Sequence, residues 1–148
     1  MTSTTPPESH ELSAEASDIR MATFRLARRL RAQRAVDSMS DAHFAVLAAL
    51  KVHGAHTLGE LAERERVTAP SMNRTVGALE EAGYLSREQA DDDRRKVTIE
   101  LTEAGRDVVE ETVRRRDAWL EEALEELSPA DRVLLVRAAD VMRRVAER

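Results

Sequence analysis

Residues 68 to 105 decide the fold. They read Thr68-Ala69-Pro70-Ser71-Met72-Asn73-Arg74, a run through Leu79 to Ala82 and Gly83, then Tyr84-Leu85-Ser86-Arg87-Glu88. A tip follows, Asp91-Asp92-Asp93-Arg94-Arg95-Lys96, then Val97-Thr98-Ile99-Glu100-Leu101 and Thr102-Glu103-Ala104-Gly105. Thr68 has the side chain of a helix N-cap, and Pro70 is tolerated because a first turn has no amide bond to lose. Met72, Val76 and Leu79 recur at helical spacing and predict the buried stripe of this helix, with Ser71, Asn73, Arg74, Gly77 and Ala78 pointing outward. Gly83 stops the helix. Two short strands, 84–88 and 97–101, flank the charged tip, and another helix starts at Thr102. Helix, strand, charged hairpin, strand is the order of a winged helix-turn-helix, whose helix enters a major groove while the hairpin reaches a phosphate backbone or minor groove.

Upstream, Thr57-Leu58-Gly59-Glu60 is a capping box that opens a short helix from Leu58 to Arg64, with Leu58, Leu61 and Ala62 toward the core. Four residues, 65–68, join it to the next helix, which is the tight spacing of a helix-turn-helix. Ser40 caps a preceding helix that holds Phe44, Val46, Leu47 and Leu50 and ends at Gly54. Further out, a helix from Leu12 to Val36 carries Ile19, Ala22, Leu26 and Leu30 on one stripe. A long helix spans 103–127, and Ser128-Pro129 opens a last helix with Val133, Leu134, Val136, Val141, Met142 and Val145. Residues 1–10, rich in Ser, Thr and Pro, are expected to be a disordered tail. The fold class is therefore mainly α with a small β-wing. Residues 11–148 form one domain, with 38–105 as the winged helix-turn-helix and 11–36 and 106–148 as dimerisation helices. The terminal helices hold more apolar surface than one small domain can hide, which predicts helix association between two chains.

The chain has 148 residues, enough for one well-buried core, with 34% charged and only 3% aromatic residues. No apolar run approaches a membrane span and no secretory signal opens the chain, so a soluble cytoplasmic protein is expected, with no membrane partner. With no cysteine, thiolate metal sites and thiol redox sensing are excluded. The net charge of −5 argues mildly against nucleic acid, yet charge acts where it faces the partner. Acids gather at Glu110-Glu111 and along 121–126, whereas 66–79 hold only Arg66 and Arg74. The stretch with Arg20, Arg25, Arg28, Arg29, Arg31 and Arg34 is likewise free of acids.

The element order and the wing resemble the MarR family of bacterial transcriptional regulators. The most specific stretch is Asp93-Arg94-Arg95-Lys96-Val97-Thr98-Ile99-Glu100-Leu101-Thr102-Glu103-Ala104-Gly105, which is similar to the family's D-x-R, five residues, L-T-x-x-G. Met39-Ser40, His43-Phe44, Val46-Leu47 and 79–85 add support, with His43 where the family commonly has Gln. The resemblance runs from about Leu12 to Arg148. It implies a homodimer with two winged lobes that represses promoters carrying an imperfect palindrome in double-stranded DNA. It also implies release by a small aromatic or anionic effector. Ligand-pocket residues vary too much in this family to be carried over.

The candidate DNA-binding residues are Thr68, Pro70, Ser71, Asn73, Arg74, Asp93, Arg94, Arg95 and Lys96. At the wing tip, Arg95 suits a narrow minor groove, and Asp93 can hold its guanidinium by a bidentate pair. Arg94 and Lys96 suit phosphates. On the helix, Ser71, Asn73 and Arg74 suit phosphate, adenine and guanine in turn. The first turn, with Thr68 and Pro70, can grip a phosphate through the hydroxyl and backbone amides. Each could instead simply solvate a helix face or a charged turn; as a group beside a wing they favour DNA. His53 and His56 read as solvated loop residues, since no further ligands complete a metal site. Trp119 reads as packing, and 121–126 as a solvated acidic face. Phosphate-binding glycine loops, nucleophile elbows and zinc-protease motifs are absent, so neither catalysis nor a cofactor is expected. The alternative is a winged-helix module for protein–protein contacts with weak DNA binding, which the acidic total favours.

Overall fold

The computed structural model describes residues 7–89, 92 and 95–148, with side chains from His10 onward. The elements are α1 (Pro7–Ala32), α2 (Asp41–His53), α3 (Leu58–Arg64), α4 (Ala69–Glu81), β1 (Leu85–Gln89), β2 (Val97–Leu101), α5 (Glu103–Glu125) and α6 (Pro129–Ala146). They fall into two compact units, Arg34–Arg115 and Met1–Gln33 with Arg116–Arg148.

In the first unit, local capping chemistry fixes where the helices begin. Ser40, Thr57 and Thr68 each accept the backbone N–H three residues on, from His43, Glu60 and Ser71. The core gathers Leu47, Leu61, Met72, Val76, Leu79 and Ile99, all with 2% exposure or less. Each such side chain contributes about 1.5–3 kcal/mol on leaving water. β1 and β2 pair antiparallel from Leu85↔Leu101 to Gln89↔Val97, and β2 gains a further rung where His56 exchanges both backbone bonds with Ile99. That rung corrects the expectation of two solvated histidines. His53 ends α2 exposed, but His56 is 8% exposed, with ring Nδ1 2.7 Å from the Gly54 carbonyl oxygen. A ring atom that donates to a carbonyl needs no metal to satisfy it.

The end of α4 and the start of α5 make one joint. Gly83, at φ 84°, donates to the Glu80 carbonyl, and Tyr84 donates to the Leu79 carbonyl, which together form a Schellman cap. Because the Tyr84 amide is used there, β1 begins at Leu85, one residue later than the sequence suggests. Thr102 then ties both ends: its backbone N–H donates to the Tyr84 carbonyl, its hydroxyl donates to the Gly83 carbonyl at 2.6 Å, and its Oγ1 accepts from the Gly105 amide.

The unit extends past the expected boundary at 105 because Val109 and Thr112 of α5 are buried, at 4% and 1%. Thr112 Oγ1 accepts from the Ala35 amide, and Arg115 donates to the Arg34 carbonyl, so the chain from Arg34 belongs to this body too. Lys51 bonds Glu110 and holds that carboxyl below its usual range, by the hydrogen bond first and by charge second.

In the second unit, α1 begins at Pro7, so 7–10 are helical where a disordered tail was expected. A proline in the first helical turn has no amide to leave unsatisfied, and its φ is already helical. Residues 1–6 of that expected tail lie outside the described residues. Ser128 caps α6 by accepting from the Asp131 amide at 3.1 Å. α6 has no buried residue, and Leu134, Val136 and Val145 are 63%, 70% and 62% exposed. Ile19 and Phe24 of α1 are 61% and 64% exposed. Trp119 lies under the Arg29 guanidinium, 5.5 Å from the ring centre, a cation–π contact. None of the described helices is long and apolar enough to cross a membrane.

Candidate nucleic-acid interface

α3, the four-residue link 65–68 and α4 form the helix-turn-helix, and the link turns sharply at Arg66, the one described non-glycine residue with positive φ. α4 buries Met72, Val76 and Leu79, which leaves Asn73, Arg74 and Ala78 exposed and Ser71 and Gly77 half-buried. Ser71 gives its backbone N–H to Thr68 Oγ1 at 3.3 Å, so the Thr68 hydroxyl keeps its proton available for a phosphate oxygen. Pro70 is exposed in the first turn. Arg74 has no hydrogen bond or ion pair among the described residues and is exposed beside this cap. The first acid of α4 is Glu80, and Arg87 lies 3.4 Å from it, so the helix before Glu80 carries one charge, the positive Arg74, beside neutral polar groups.

β1 and β2 carry the wing out from the core. Leu85 and Ile99 are buried at its base, while Glu88, Gln89 and Val97 are exposed toward the tip. At the tip Asp92, Arg95 and Lys96 are exposed. Asp93 and Arg94 lie outside the described residues, and with them the expected pairing of Asp93 with Arg95. The structure thus brings Thr68, Pro70, Ser71, Asn73 and Arg74 together on one helix end, with Arg95 and Lys96 on a separate element of the same unit.

Sequence reasoning passed over Arg87. Its signal was the strand period: two residues from Leu85, it falls on the sheet face that packs on α4. There it donates to Asn73 Oδ1 at 3.2 Å. Among the described residues no group of three His, Cys, Asp or Glu side chains is placed to hold a metal ion.

Fold and site define a winged helix-turn-helix DNA-binding regulator. The family model described as MarR family matches residues 39–97. An HTH-type transcriptional regulator of Mycobacterium tuberculosis is 38% identical over 127 residues, which is 86% of this chain and 89% of that protein. A MarR family protein of Bacillus stearothermophilus shares the fold with a TM-score of 0.81 at 22% identity, covering 95% of this chain and 98% of that one. BpsR of Bordetella bronchiseptica, whose DNA binding is regulated by 6-hydroxynicotinic acid, has a TM-score of 0.59 at 28% identity over 85% of this chain and 98% of its own. The chain belongs to the MarR family of transcriptional regulators.

Proposed function

We propose that this regulator binds an imperfect palindrome in double-stranded DNA as a homodimer and represses from it in the cytoplasm. A small aromatic or anionic compound then releases it. The observation that carries the reading is the exposed end of α4, where a capped helix start, a hydroxyl and an Arg74 guanidinium with no partner among the described residues face outward, with no acid between 66 and 79. A helix N-terminus with such donors suits phosphate, and a guanidinium just beyond it suits a guanine edge. Residues 38–105 supply DNA contact in this reading, and the helices 11–36 and 106–148 supply the pairing of two chains. The exposed apolar side chains of α1 and α6 support that pairing. Release by an aromatic acid draws support from BpsR, and 6-hydroxynicotinic acid is the first compound to titrate against a protein–DNA complex.

Selection of sites from random duplex DNA tests the reading. Arg74→Ala relaxes base preference, because a side chain on a guanine edge discriminates between sequences. Thr68→Val weakens all sequences about equally, because a phosphate contact carries no base information. A preference motif unchanged by Arg74→Ala moves that residue to the backbone class. A protein with no selectable motif is instead a protein–protein module, as its net charge of −5 favours.

For the wing, Arg95→Ala weakens operator binding by about 1–3 kcal/mol at fixed salt and leaves the melting curve unchanged. Parent-like affinity in that variant removes Arg95 from the interface.

A further inference from the structure

Arg87 occupies an unusual place for a charged residue. In the strand register it stands opposite Ile99 and two residues from Leu85, both buried, so its side chain leaves the sheet on the face that packs on α4. Its head meets two residues of that helix: Nη2 donates to Asn73 Oδ1 at 3.2 Å, and Nε lies 3.4 Å from Glu80 Oε1. Asn73 and Glu80 are seven positions apart, about two turns, and so share one face of the helix.

The chemistry of the pair sets the orientation of the amide. A guanidinium has five N–H donors and no acceptor, so the Asn73 atom that faces it must be the oxygen. The amide is thereby held against rotation before DNA arrives. It keeps both Nδ2 hydrogens and one carbonyl lone pair for a partner. A donor next to an acceptor on one amide complements the N7 and N6 edge of adenine in the major groove. A freely turning amide would present that pattern half the time and its reverse the other half.

We infer that Arg87 is a positioning residue for base readout: it fixes the Asn73 amide so that α4 reads adenine at one position of the site. This rests on the reading of α4 as the major-groove helix and adds the residue that sets its preference. Holding the side chain in advance lowers the ordering cost of docking. The same contact offsets the charge of Glu80, the acid of α4 that shares a face with Asn73, and so removes a repulsion from the phosphates.

The test compares the parent with Arg87→Met, Asn73→Ala and the double variant, scored by base preference at every position of selected sites. Arg87→Met keeps an apolar stem over α4 and loses the donors. The expected result is a loss of adenine preference by about fivefold at one position per half-site, the worth of one hydrogen bond. Asn73→Ala abolishes the preference at that same position, and Arg87→Met adds nothing there in the Asn73→Ala background. A preference unchanged by Arg87→Met, or loosened equally at all positions, overturns the assignment. If Asn73→Ala changes no position, the base contact itself is wrong and the assignment falls with it. A second measurement needs no DNA: the Asn73 side-chain NH2 in the full chain should show restricted motion by NMR relaxation in the parent and faster motion in Arg87→Met. Equal mobility in the two proteins overturns the positioning role even where DNA binding by α4 stands.

Discussion

Gly105→Ala is expected to destabilise the protein by about 3 kcal/mol, the upper end for overpacking a closed site. The ideal Cβ at Gly105 would lie far inside contact distance of the Tyr84 carbonyl oxygen and 3.0 Å from Leu101 Cδ2. The Leu101 methyl can give way, but the Tyr84 carbonyl cannot. The Tyr84 carbonyl is backbone and accepts from the Thr102 amide, and the Thr102 hydroxyl is committed to Gly83 at 2.6 Å. A methyl group there must push α5 away from the end of α4 and break the joint between them. Urea unfolding measures the loss as a lower midpoint at constant slope. Gly77→Ala is the control, since a Cβ there meets nothing within 4 Å. Its expected change is neutral or a gain of up to about 1 kcal/mol from helix propensity. A Gly105→Ala protein that unfolds at the parent midpoint would show that the joint has slack the distances do not suggest.

Removal of α6, Pro129–Ala146, is expected to leave a monomer that has lost tight operator binding, although α4 and the wing remain. α6 buries none of its residues within the single chain, and Val133, Leu134, Val136 and Val145 are each more than half exposed. Apolar surface on that scale is normally covered, and a two-fold pairing covers it twice. In the proposed palindromic complex, pairing would set two α4 helices about 34 Å apart, one turn of DNA, so a lone lobe would lose the benefit of the second half-site. Sedimentation at micromolar concentration and a gel shift check the two losses together. A full-length protein that sediments as a monomer and binds a single half-site one-to-one sinks the palindrome and the pairing at once.

The features legible in the sequence are those set over short distances. Ser40, Thr57, Thr68 and Ser128 each receive the amide three residues on, as their types at those positions predict. Met72, Val76 and Leu79 are buried because helical spacing alone places them on one side. The family pattern 101–105 also has a local cause, in the Thr102 cap and the glycine that must approach a carbonyl. What escaped needed two elements at once. His56 is buried because β2 pairs with it from 43 positions away (99 less 56). Arg87 reaches Asn73 across 14 residues, through a register that no single strand reveals. The start of α1 escaped for a different reason: Ser, Thr and Pro composition reads as coil, while one proline in a first turn favours helix.

The placement of the lone tryptophan has a practical consequence. Trp119 sits in the unit formed by Met1–Gln33 and Arg116–Arg148, stacked under Arg29, whereas the single tyrosine, Tyr84, sits at the α4–α5 joint of the other unit. The chain therefore carries one native aromatic probe in each body. Indole emission excited beyond the phenol band follows the terminal-helix body, and the Tyr84 ring signals in an NMR melt follow the winged one. Coincident curves would mark a single cooperative transition, and separated curves would mark two domains that come apart in turn.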